Sequence, residues 1–268
     1  MNELDVARRA ARAAADIQRR YVDVRPADVR IKSGAIDLVT EVDRACEDAV
    51  REVFARETPG IPVLGEERGG ERGAATRWVV DPLDGTTNFV HGFPFFCVSI
   101  ALVTDGKSEV GVVIDAVRDR EYAARRGAGV TCNGVPQHVS DVRELGSSLL
   151  GSGFPYDRQR LAHEYLAYWD AFLRRTHGVR RAGAAALDLS LVSEGRLDAF
   201  WEFHLSLWDV AAGTLFVEEA GGTVTALDGG ALDPADPCPL ASNGHVHQAM
   251  LDVLAEVRGR VSSGARFE

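Results

Sequence analysis

The stretch Trp78–Phe89 reads WVVDPLDGTTNF and constrains the fold more than any other stretch of this chain. Its apolar start, Trp78–Val80, is rich in β-formers and predicts a buried strand. Asp81 is predicted to end that strand, because the proline that follows cannot donate to a ladder. Asp81 and Asp84 should therefore lie close together on a stiff turn at the carboxyl end of a strand, where α/β sheets bind ligands.

The same stretch offers ligands for both a cation and an anion. Carboxylate and carbonyl oxygens are the ligands that hard divalent cations prefer. Beyond Gly85, the hydroxyl and N–H groups of Thr86 and Thr87 stand where a helix could begin, which suits a phosphate. The alternative is an ordinary solvated turn, since Asp, Pro, Gly and Thr are all common turn residues.

Composition and charge argue against some classes of binding partner. The chain has 268 residues, of which 46% are apolar and 26% charged, as in a soluble globular protein. The net charge of −10 argues against a nucleic-acid-binding surface, and it suits an anionic substrate only if cations bridge the two. No apolar run approaches a membrane span, and the N-terminal residues lack the apolar core of a signal peptide. We expect neither nucleic acid nor membrane as a direct partner.

The cysteines indicate a reducing compartment. Cys46, Cys97, Cys132 and Cys238 are scattered and form no C-x-x-C pair. Disulfide frameworks belong to smaller secreted chains. We therefore expect reduced, mostly buried thiols in a cytoplasmic protein.

A capping motif precedes the second predicted helix. Thr40 suits the N-cap, and Asp43 occupies the capping-box position three residues later. An amphipathic helix is predicted from there to about residue 56, after a first amphipathic helix over residues 3–21. For Asp43 taken alone, capping is a sufficient role.

Two further acidic residues stand at the ends of predicted elements. The apolar run Ile61–Leu64 is followed by G-E-E, and Glu66, the first of these acids, could reach a metal from a strand end. Adjacent Glu residues are more often surface charge. Trp208–Gly213 begins a predicted helix with Asp209 in its first turn, where an Asp usually acts as a cap.

The remaining pattern predicts one mixed α/β domain over residues 1–268. Residues 95–137 are predicted to form an antiparallel meander with a hairpin turn at Asn133 and Gly134. After residue 145 strands and helices alternate, which we interpret as a seam between subdomains. The predicted elements are strands at Ser148–Gly151, Leu197–Phe203, Val224–Ala226 and Leu240–Ser242, and helices at Arg158–Arg175, Ala184–Glu194, Trp208–Ala220 and His247–Val257.

Four elements, in order along the chain, resemble the inositol monophosphatase family. Asp81–Phe89 is similar to its metal-binding signature, D-P-[IL]-D-G-T-[TK]-N-F, and Leu207–Gly222 to its C-terminal signature. Lys32–Asp43 resembles the N-terminal motif K-x-x-x-x-D-L-V-T-x-x-D, and G-E-E the third metal-site element. The resemblance implies the layered αβαβα sandwich of the sugar-phosphatase superfamily, and a homodimer.

The resemblance also implies two or three Mg²⁺ ions held by oxygen ligands. Glu66, Asp81 and the backbone carbonyl of Leu83 would hold one ion. Asp81 would bridge to a second ion, shared with Asp84 and Asp209. A weaker third ion would sit near Glu66.

Catalytic and substrate-binding roles are implied on the same basis. Thr86, with Asp43 behind it, would orient and deprotonate the metal-activated water that attacks phosphorus. Glu66 counts with them as catalytic, and Lys32 would lie in a mobile loop near the site. Contacts to the phosphate and to substrate hydroxyls are implied for Asp84, Gly85, Thr86, Thr87, Gly183, Ala185 and Glu202.

Two of the implied substrate contacts have weaker support in the sequence. Ala184 stands where the family usually has Ser or Thr, which calls one polar contact into question. For Glu202 taken alone, an exposed position at a strand end is the alternative.

We therefore expect a Mg²⁺-dependent phosphomonoesterase that converts inositol monophosphate and water to inositol and phosphate. Thr87 favours this substrate, because the nucleotide-phosphatase and histidinol-phosphatase branches commonly carry Lys there. Fructose-1,6-bisphosphatase and histidinol-phosphate phosphatase activities stay open as alternatives. So does a role of another class, as an interaction module in a transcription complex.

Overall fold

The computed structural model describes residues 2–22, 29–31 and 38–262. Lys32 lies outside the described residues, so its place near the site stays a prediction. No helix within the described ranges is long and apolar enough to cross a bilayer. The helices of these ranges are α1 Glu3–Arg19, α2 Glu41–Glu57, α3 Thr86–His91, α4 Arg158–Leu173, α5 Ala185–Ser193, α6 Leu207–Glu219 and α7 His247–Ser262.

The strands of the described ranges form a short hairpin and two larger sheets. They are β1 Val29–Ile31, β2 Leu38–Thr40, β3 Val63–Gly65, β4 Thr76–Asp84, β5 Cys97–Thr104, β6 Lys107–Asp115, β7 Arg120–Arg125, β8 Val130–Cys132, β9 Val135–Pro136, β10 Leu149–Ser152, β11 Gly178–Arg180, β12 Ala199–Trp201, β13 Thr223–Ala226 and β14 Pro239–Ser242.

The larger sheet has seven strands, β3 to β9, in the order of the chain. β3 and β4 are parallel, and every later pair is antiparallel, so the predicted meander is confirmed. At the predicted hairpin, Asn133 and Gly134 have φ angles of 49° and 80°. Two-residue hairpin turns of this type need positive φ at both central residues, which Asn-Gly supplies.

The second sheet has five strands in the order β11-β10-β12-β14-β13. β10 is parallel to both of its neighbours, whereas β14 is antiparallel to β12 and β13. The seven-stranded sheet ends before residue 145 and this one begins after it, as the predicted seam requires. That residues 1–268 form one domain stays a prediction.

Helices and sheets alternate in five layers. α1 and α2 cover one face of the seven-stranded sheet, and α5 and α6 lie between the two sheets. α4 and α7 pack on the far side of the five-stranded sheet. Each sheet therefore buries apolar residues on both faces, and the predicted αβαβα sandwich is confirmed.

Several boundaries differ from the sequence prediction. The strand predicted over Leu197–Phe203 is shorter, since β12 covers only Ala199–Trp201. The sequence analysis did not predict β11 or the β1–β2 hairpin. All four cysteines are free thiols, as predicted, and Cys238 is the one that is partly exposed.

Candidate active site

One pocket collects nearly all of the predicted site residues that the structure describes. It lies where the ends of β3 and β4 meet the starts of α5 and α6. Asp43 is not a lining residue but lies directly behind Thr86. The predicted residues that line the pocket are Glu66, Asp81, Leu83, Asp84, Gly85, Thr86, Thr87, Gly183, Ala185, Glu202 and Asp209.

An interruption in β4 shapes the turn that carries Asp81 and Asp84. The ladder to β5 is regular up to Asp81 and resumes only at Asp84, because Pro82 has no N–H to donate. The strand therefore runs past Asp81, where the sequence predicted its end. The Leu83 N–H donates to Oδ1 of Asp81 over 3.0 Å, and the buried amide of Gln18 donates to the Pro82 carbonyl over 2.9 Å. Both bonds fix the shape of the turn.

Gly85 lets the chain turn from β4 into α3. Its φ of 93° is left-handed, a conformation that glycine adopts without steric penalty. A Cβ at this position would lie only 2.9 Å from the carbonyl oxygen of Phe95. Since α3 has only six residues, an anion at its start would be held mainly by the N–H groups of the first turn.

Four carboxylates meet in the pocket, and their environment fits a cation. Burial raises the pKa of Asp81 well above its ordinary value. The carboxylates of Glu66, Asp84 and Asp209 raise that pKa further. Together with the Leu83 carbonyl these groups offer only oxygen ligands, which hard divalent cations such as Mg²⁺ prefer. A bound cation would offset the repulsion among the carboxylates, so the residues present fit the predicted metal.

Asp84 links the end of β4 to the start of α5. Its Oδ2 accepts a hydrogen bond from the Ala186 N–H over 2.7 Å, and the Cys97 thiol donates to it over 3.8 Å. Burial raises the pKa of Asp84 to about 7, and the Ala186 N–H opposes that shift because it stabilises the ionised form. The contact also brings the segment of Gly183 and Ala185 against the acidic turn.

Glu47, which the sequence analysis missed, fixes the turn that presents Glu66. It lies on α2 and is fully buried. Its carboxylate accepts hydrogen bonds from the N–H groups of Glu67 and Arg68 over 2.7 and 3.1 Å. Arg51, one helical turn later, pairs with the same carboxylate at 2.8 Å. The G-E-E turn is therefore held from behind by a charged side chain.

Thr86 and Asp43 form a hydrogen-bonded pair between α3 and α2. The Thr86 hydroxyl lies 2.9 Å from Oδ1 of Asp43 and 3.0 Å from the carbonyl oxygen of Leu83. The other carboxylate oxygen of Asp43 accepts from the Thr40 N–H and hydroxyl over 2.8 and 2.6 Å. Asp43 thus caps its helix, as the sequence predicted, and also contacts Thr86 with its other carboxylate oxygen.

Asp209 enters the pocket from the first turn of α6. Its Oδ2 accepts a hydrogen bond from the Ser206 N–H over 2.7 Å, and the two residues form a reciprocal capping box. Capping and pocket lining are therefore compatible roles for this residue, as they are for Asp43.

Glu202 follows β12 directly and is buried, so the alternative of an exposed strand-end position is wrong. Its carboxylate packs on Gly153, where a Cβ would overlap with it. Burial raises the pKa of Glu202 to about 8, and the guanidinium of Arg181 opposes that shift. A buried carboxylate that lines a pocket can accept hydrogen bonds from a bound hydroxyl compound.

Asn88 connects the first motif to the segment that carries Gly183. Its side-chain amide donates to the carbonyls of Phe95 and Ala182 over 2.7 and 2.8 Å. These bonds join α3 to the segments before β5 and before α5. The sequence analysis quoted this Asn within the motif but assigned it no role.

Arginine and aromatic side chains also line the pocket, although no role was predicted for them. Arg158 and Arg181 bring positive charge to it, and Phe154, Tyr156 and Trp208 add aromatic surface. Arg181 lies two positions before Gly183, a predicted substrate contact, and this proximity was a usable signal. No local pattern marks Arg158 or Phe154, because only the fold brings their loop to the acidic turn.

Comparison with known proteins agrees with this geometry. The sequence profile of the inositol monophosphatase family matches residues 2–261 of the chain. The chain belongs to the inositol monophosphatase family. Membership also explains why the four motifs occur in one order, and why Glu66, Asp81 and Asp209 from three of them line one pocket.

Individual family members carry two kinds of name. A Nus factor SuhB from Pseudomonas aeruginosa is 45% identical over 84% of this chain and 86% of its own length. An inositol-1-monophosphatase from Synechocystis is 42% identical over 85% of this chain and 80% of its own length. The structure of an inositol monophosphatase from Anabaena has a TM-score of 0.86 and 40% identity, covering 95% of both chains.

Proposed function

We propose that this family member is a Mg²⁺-dependent phosphomonoesterase that hydrolyses inositol monophosphate. The observation that carries the proposal is the convergence of Glu66, Asp81, Asp84 and Asp209 in one pocket beside the Thr86–Asp43 pair. Four carboxylates in one pocket repel an anionic substrate, and bound cations would offset that repulsion. The net charge of −10 on the whole chain adds to the repulsion.

The proposed cation ligands are oxygen atoms of residues that line the pocket. Glu66, Asp81 and the Leu83 carbonyl would hold one Mg²⁺, and Asp81, Asp84 and Asp209 a second, with a weaker third near Glu66. Bound Mg²⁺ would supply Lewis-acid activation of water and neutralise negative charge on the phosphate. Ions held by these residues would bring that chemistry next to the Thr86 hydroxyl.

Thr86 and Asp43 would manage the proton of the attacking water. When the Thr86 hydroxyl donates to Asp43, its lone pairs are left to accept a hydrogen bond from water in the pocket. Asp43 keeps a second oxygen on Thr40, so its orientation is fixed before the substrate arrives. The pair would orient the water and receive its proton as the bond to phosphorus forms.

Backbone and charged groups would hold the substrate. The N–H groups at Gly85, Thr86 and Thr87 would donate to the phosphate oxygens. Asp84 and Glu202, with the backbone at Gly183 and Ala185, would bind the hydroxyls of the polyol. Ala184 offers no hydroxyl at the position where the family usually has one.

A panel of phosphate esters tests the proposal. Released phosphate is measured with Mg²⁺ for inositol monophosphate, fructose 1,6-bisphosphate and histidinol phosphate, with Asp81→Asn as the inactive control. The proposal predicts the highest kcat/KM for inositol monophosphate. Preference for one of the other two esters would identify the protein as a fructose-1,6-bisphosphatase or a histidinol-phosphate phosphatase instead. If the wild-type protein hydrolyses none of the three esters, the proposed phosphomonoesterase activity is excluded.

A second candidate function is that of an interaction module in a transcription complex. It is favoured by the 45% identity to a protein named as a Nus factor. The test is co-purification of the full chain with RNA polymerase subunits, with the Asp81→Asn variant in parallel. If that variant binds like the wild-type protein, the interaction is independent of the acidic pocket. A homodimer and a cytoplasmic location are also proposals, and light scattering of the purified chain tests the first.

A further inference from the structure

Three side chains of different metal-ligand types converge beside the pocket, away from the acidic turn. They are the imidazole of His204, the carboxylate of Asp236 and the thiol of Cys238. One ligand atom from each lies within 4.8 Å of the ligand atoms of the other two. Nδ1 of His204 is 2.9 Å from Oδ1 of Asp236 and 4.0 Å from Sγ of Cys238. We call these residues the His-Asp-Cys cluster.

The backbone sets the positions of the cluster before any ion binds. The antiparallel pairing of β12 with β14 continues beyond the strands, where the Glu202 N–H donates to the Pro239 carbonyl over 3.3 Å. The Leu205 N–H donates to the Pro237 carbonyl over 2.9 Å. Residues 202–205 therefore run beside residues 237–239, and His204 is placed opposite Cys238. The cluster is thus built by register, and not by the chance approach of two long side chains.

The thiol of Cys238 already takes part in this pairing. The His204 N–H donates to Sγ of Cys238 over 3.2 Å. Burial raises the pKa of the Cys238 thiol, the His204 N–H opposes that rise, and the nearby Asp236 and Asp233 carboxylates add to it. A cation in the cluster would favour the thiolate, because the thiolate is the form that binds metals.

The chemistry of the cluster differs from that of the acidic pocket. Thiolate and imidazole are ligands for Zn²⁺ and similar transition-metal ions, whereas Mg²⁺ takes oxygen ligands. A nitrogen, an oxygen and a sulfur from three side chains form a three-ligand set, which leaves a fourth position for water or another ligand. His204 and Asp236 are both about half exposed, so an ion can enter from solvent.

We infer that the His-Asp-Cys cluster is a second cation site, for a thiophilic divalent ion of the Zn²⁺ class, at the mouth of the pocket. His204 lines the pocket and lies between Glu202 and the first turn of α6 that carries Asp209. An ion held there would tie the loop of Asp236 to one wall of the pocket. The alternative is a His204–Asp236 ion pair beside an unrelated cysteine.

Cobalt absorption separates these two explanations without measuring activity. The full-length protein is kept in excess Mg²⁺, which occupies oxygen sites, and Co²⁺ is added as a stand-in for Zn²⁺. The site predicts one equivalent of Co²⁺ with a thiolate-to-cobalt charge-transfer band, which Zn²⁺ displaces. Cys238→Ser should lose the band. A wild-type protein without the band, or a band that persists in Cys238→Ser, would overturn the inference.

A matched pair of variants in the same loop tests the carboxylate. Asp236→Asn should weaken Co²⁺ binding by roughly tenfold or more, since even the partners of metal ligands are worth about that much. Asp233→Asn removes the same charge three positions earlier and should bind Co²⁺ like the wild-type protein. Equal affinities of the two variants would remove Asp236 from the site. Because the readout is spectroscopic, failure of this site and failure of the proposed phosphatase function are distinguishable.

Discussion

The Thr86 hydroxyl lies 2.9 Å from Oδ1 of Asp43, although 43 positions separate the two residues in the chain. The same Asp43 caps α2 through Thr40. One carboxylate therefore serves a local helix start with one oxygen and the candidate active site with the other. This division of contacts is compatible with both the capping role of Asp43 and its proposed role behind Thr86.

The first prediction concerns that pair. Thr86→Ala should lower kcat by about 10²–10⁴-fold with a smaller change in KM, because general-base assistance is typically worth that much. Thr86→Ser keeps a hydroxyl and should retain more activity than the Ala variant. The measurement is steady-state kinetics with Mg²⁺ and inositol monophosphate. Equal kcat values for the Ala and Ser variants would remove the hydroxyl from the mechanism.

The second prediction concerns metal removal. Asp81→Asn should reduce activity at least about 100-fold, since even outer-shell changes at metal sites cost about 10–100-fold. In chelator, the variant should be at least as stable as the wild-type protein, because it removes one buried acid from a cluster that raises the Asp81 pKa. Added Mg²⁺ should raise the melting temperature of the wild-type protein more than that of the variant. Equal shifts would mean that Asp81 does not bind the ion.

The third prediction separates substrate binding from chemistry at Glu202. At a pH above 8, where most Glu202 is ionised, Glu202→Ala should lower kcat/KM for inositol phosphate by roughly tenfold to a hundredfold, since a hydrogen bond to a charged acceptor is worth about 1.5–3 kcal/mol. It should spare p-nitrophenyl phosphate, which lacks the matching hydroxyl. An equal loss on both substrates would place Glu202 in the catalytic machinery or the fold, and no loss on either would deny it a role.

The fourth prediction tests how Glu66 is positioned. A Cβ on Gly65 would overlap the buried Glu47 carboxylate, which holds the G-E-E turn. Gly65→Ala should therefore raise the Mg²⁺ concentration needed for half-maximal rate by about tenfold, a cost typical of lost support for a metal ligand. Gly60→Ala is the control, because a Cβ there meets no atom within 4 Å. If both variants need the same Mg²⁺ concentration for half-maximal rate, Glu47 does not position Glu66.

The fifth prediction is a pH dependence of stability. Asp188 on α5 is buried, and burial raises its pKa well above the ordinary value of 3.8. The native state therefore holds the proton of Asp188 more tightly than the unfolded state does. The contribution of this proton to native-state stability falls as pH rises above about 4. Asp188→Asn has no carboxyl group at this position and should not lose stability in this way. Its free energy of unfolding, relative to that of the wild-type protein, should therefore be about 1–3 kcal/mol higher at pH 8 than at pH 5.

Urea unfolding at both pH values measures this gain. Asp105→Asn changes an exposed Asp and should show no such gain. A difference between Asp188→Asn and the wild-type protein that is the same at both pH values would show that Asp188 is ionised in the native state.

The motifs could be recognised from the sequence because each depends on residues within about one turn. The Thr40–Asp43 capping box and the Asp81–Asp84 turn are set by side chains three positions apart. The meander could be predicted for the same reason, since strand alternation and Asn-Gly turns are local signals. Burial could not be predicted from local sequence. For example, the residues next to Glu202 in the chain do not indicate that its carboxylate packs against Gly153.

The sequence by itself determined the residues that form the acidic turn, because backbone propensity and side-chain spacing act over short distances. The layered fold and the family were predicted from the resemblance of four motifs to the inositol monophosphatase family. Only the tertiary structure decided which distant groups support those residues. Ala186 donates to Asp84 from 102 positions away, and Glu47 holds the turn of Glu66 from another layer. Cys238 meets His204 only because β12 and β14 pair in one register. Such contacts depend on how sheets and helices stack, and local sequence patterns do not predict this stacking.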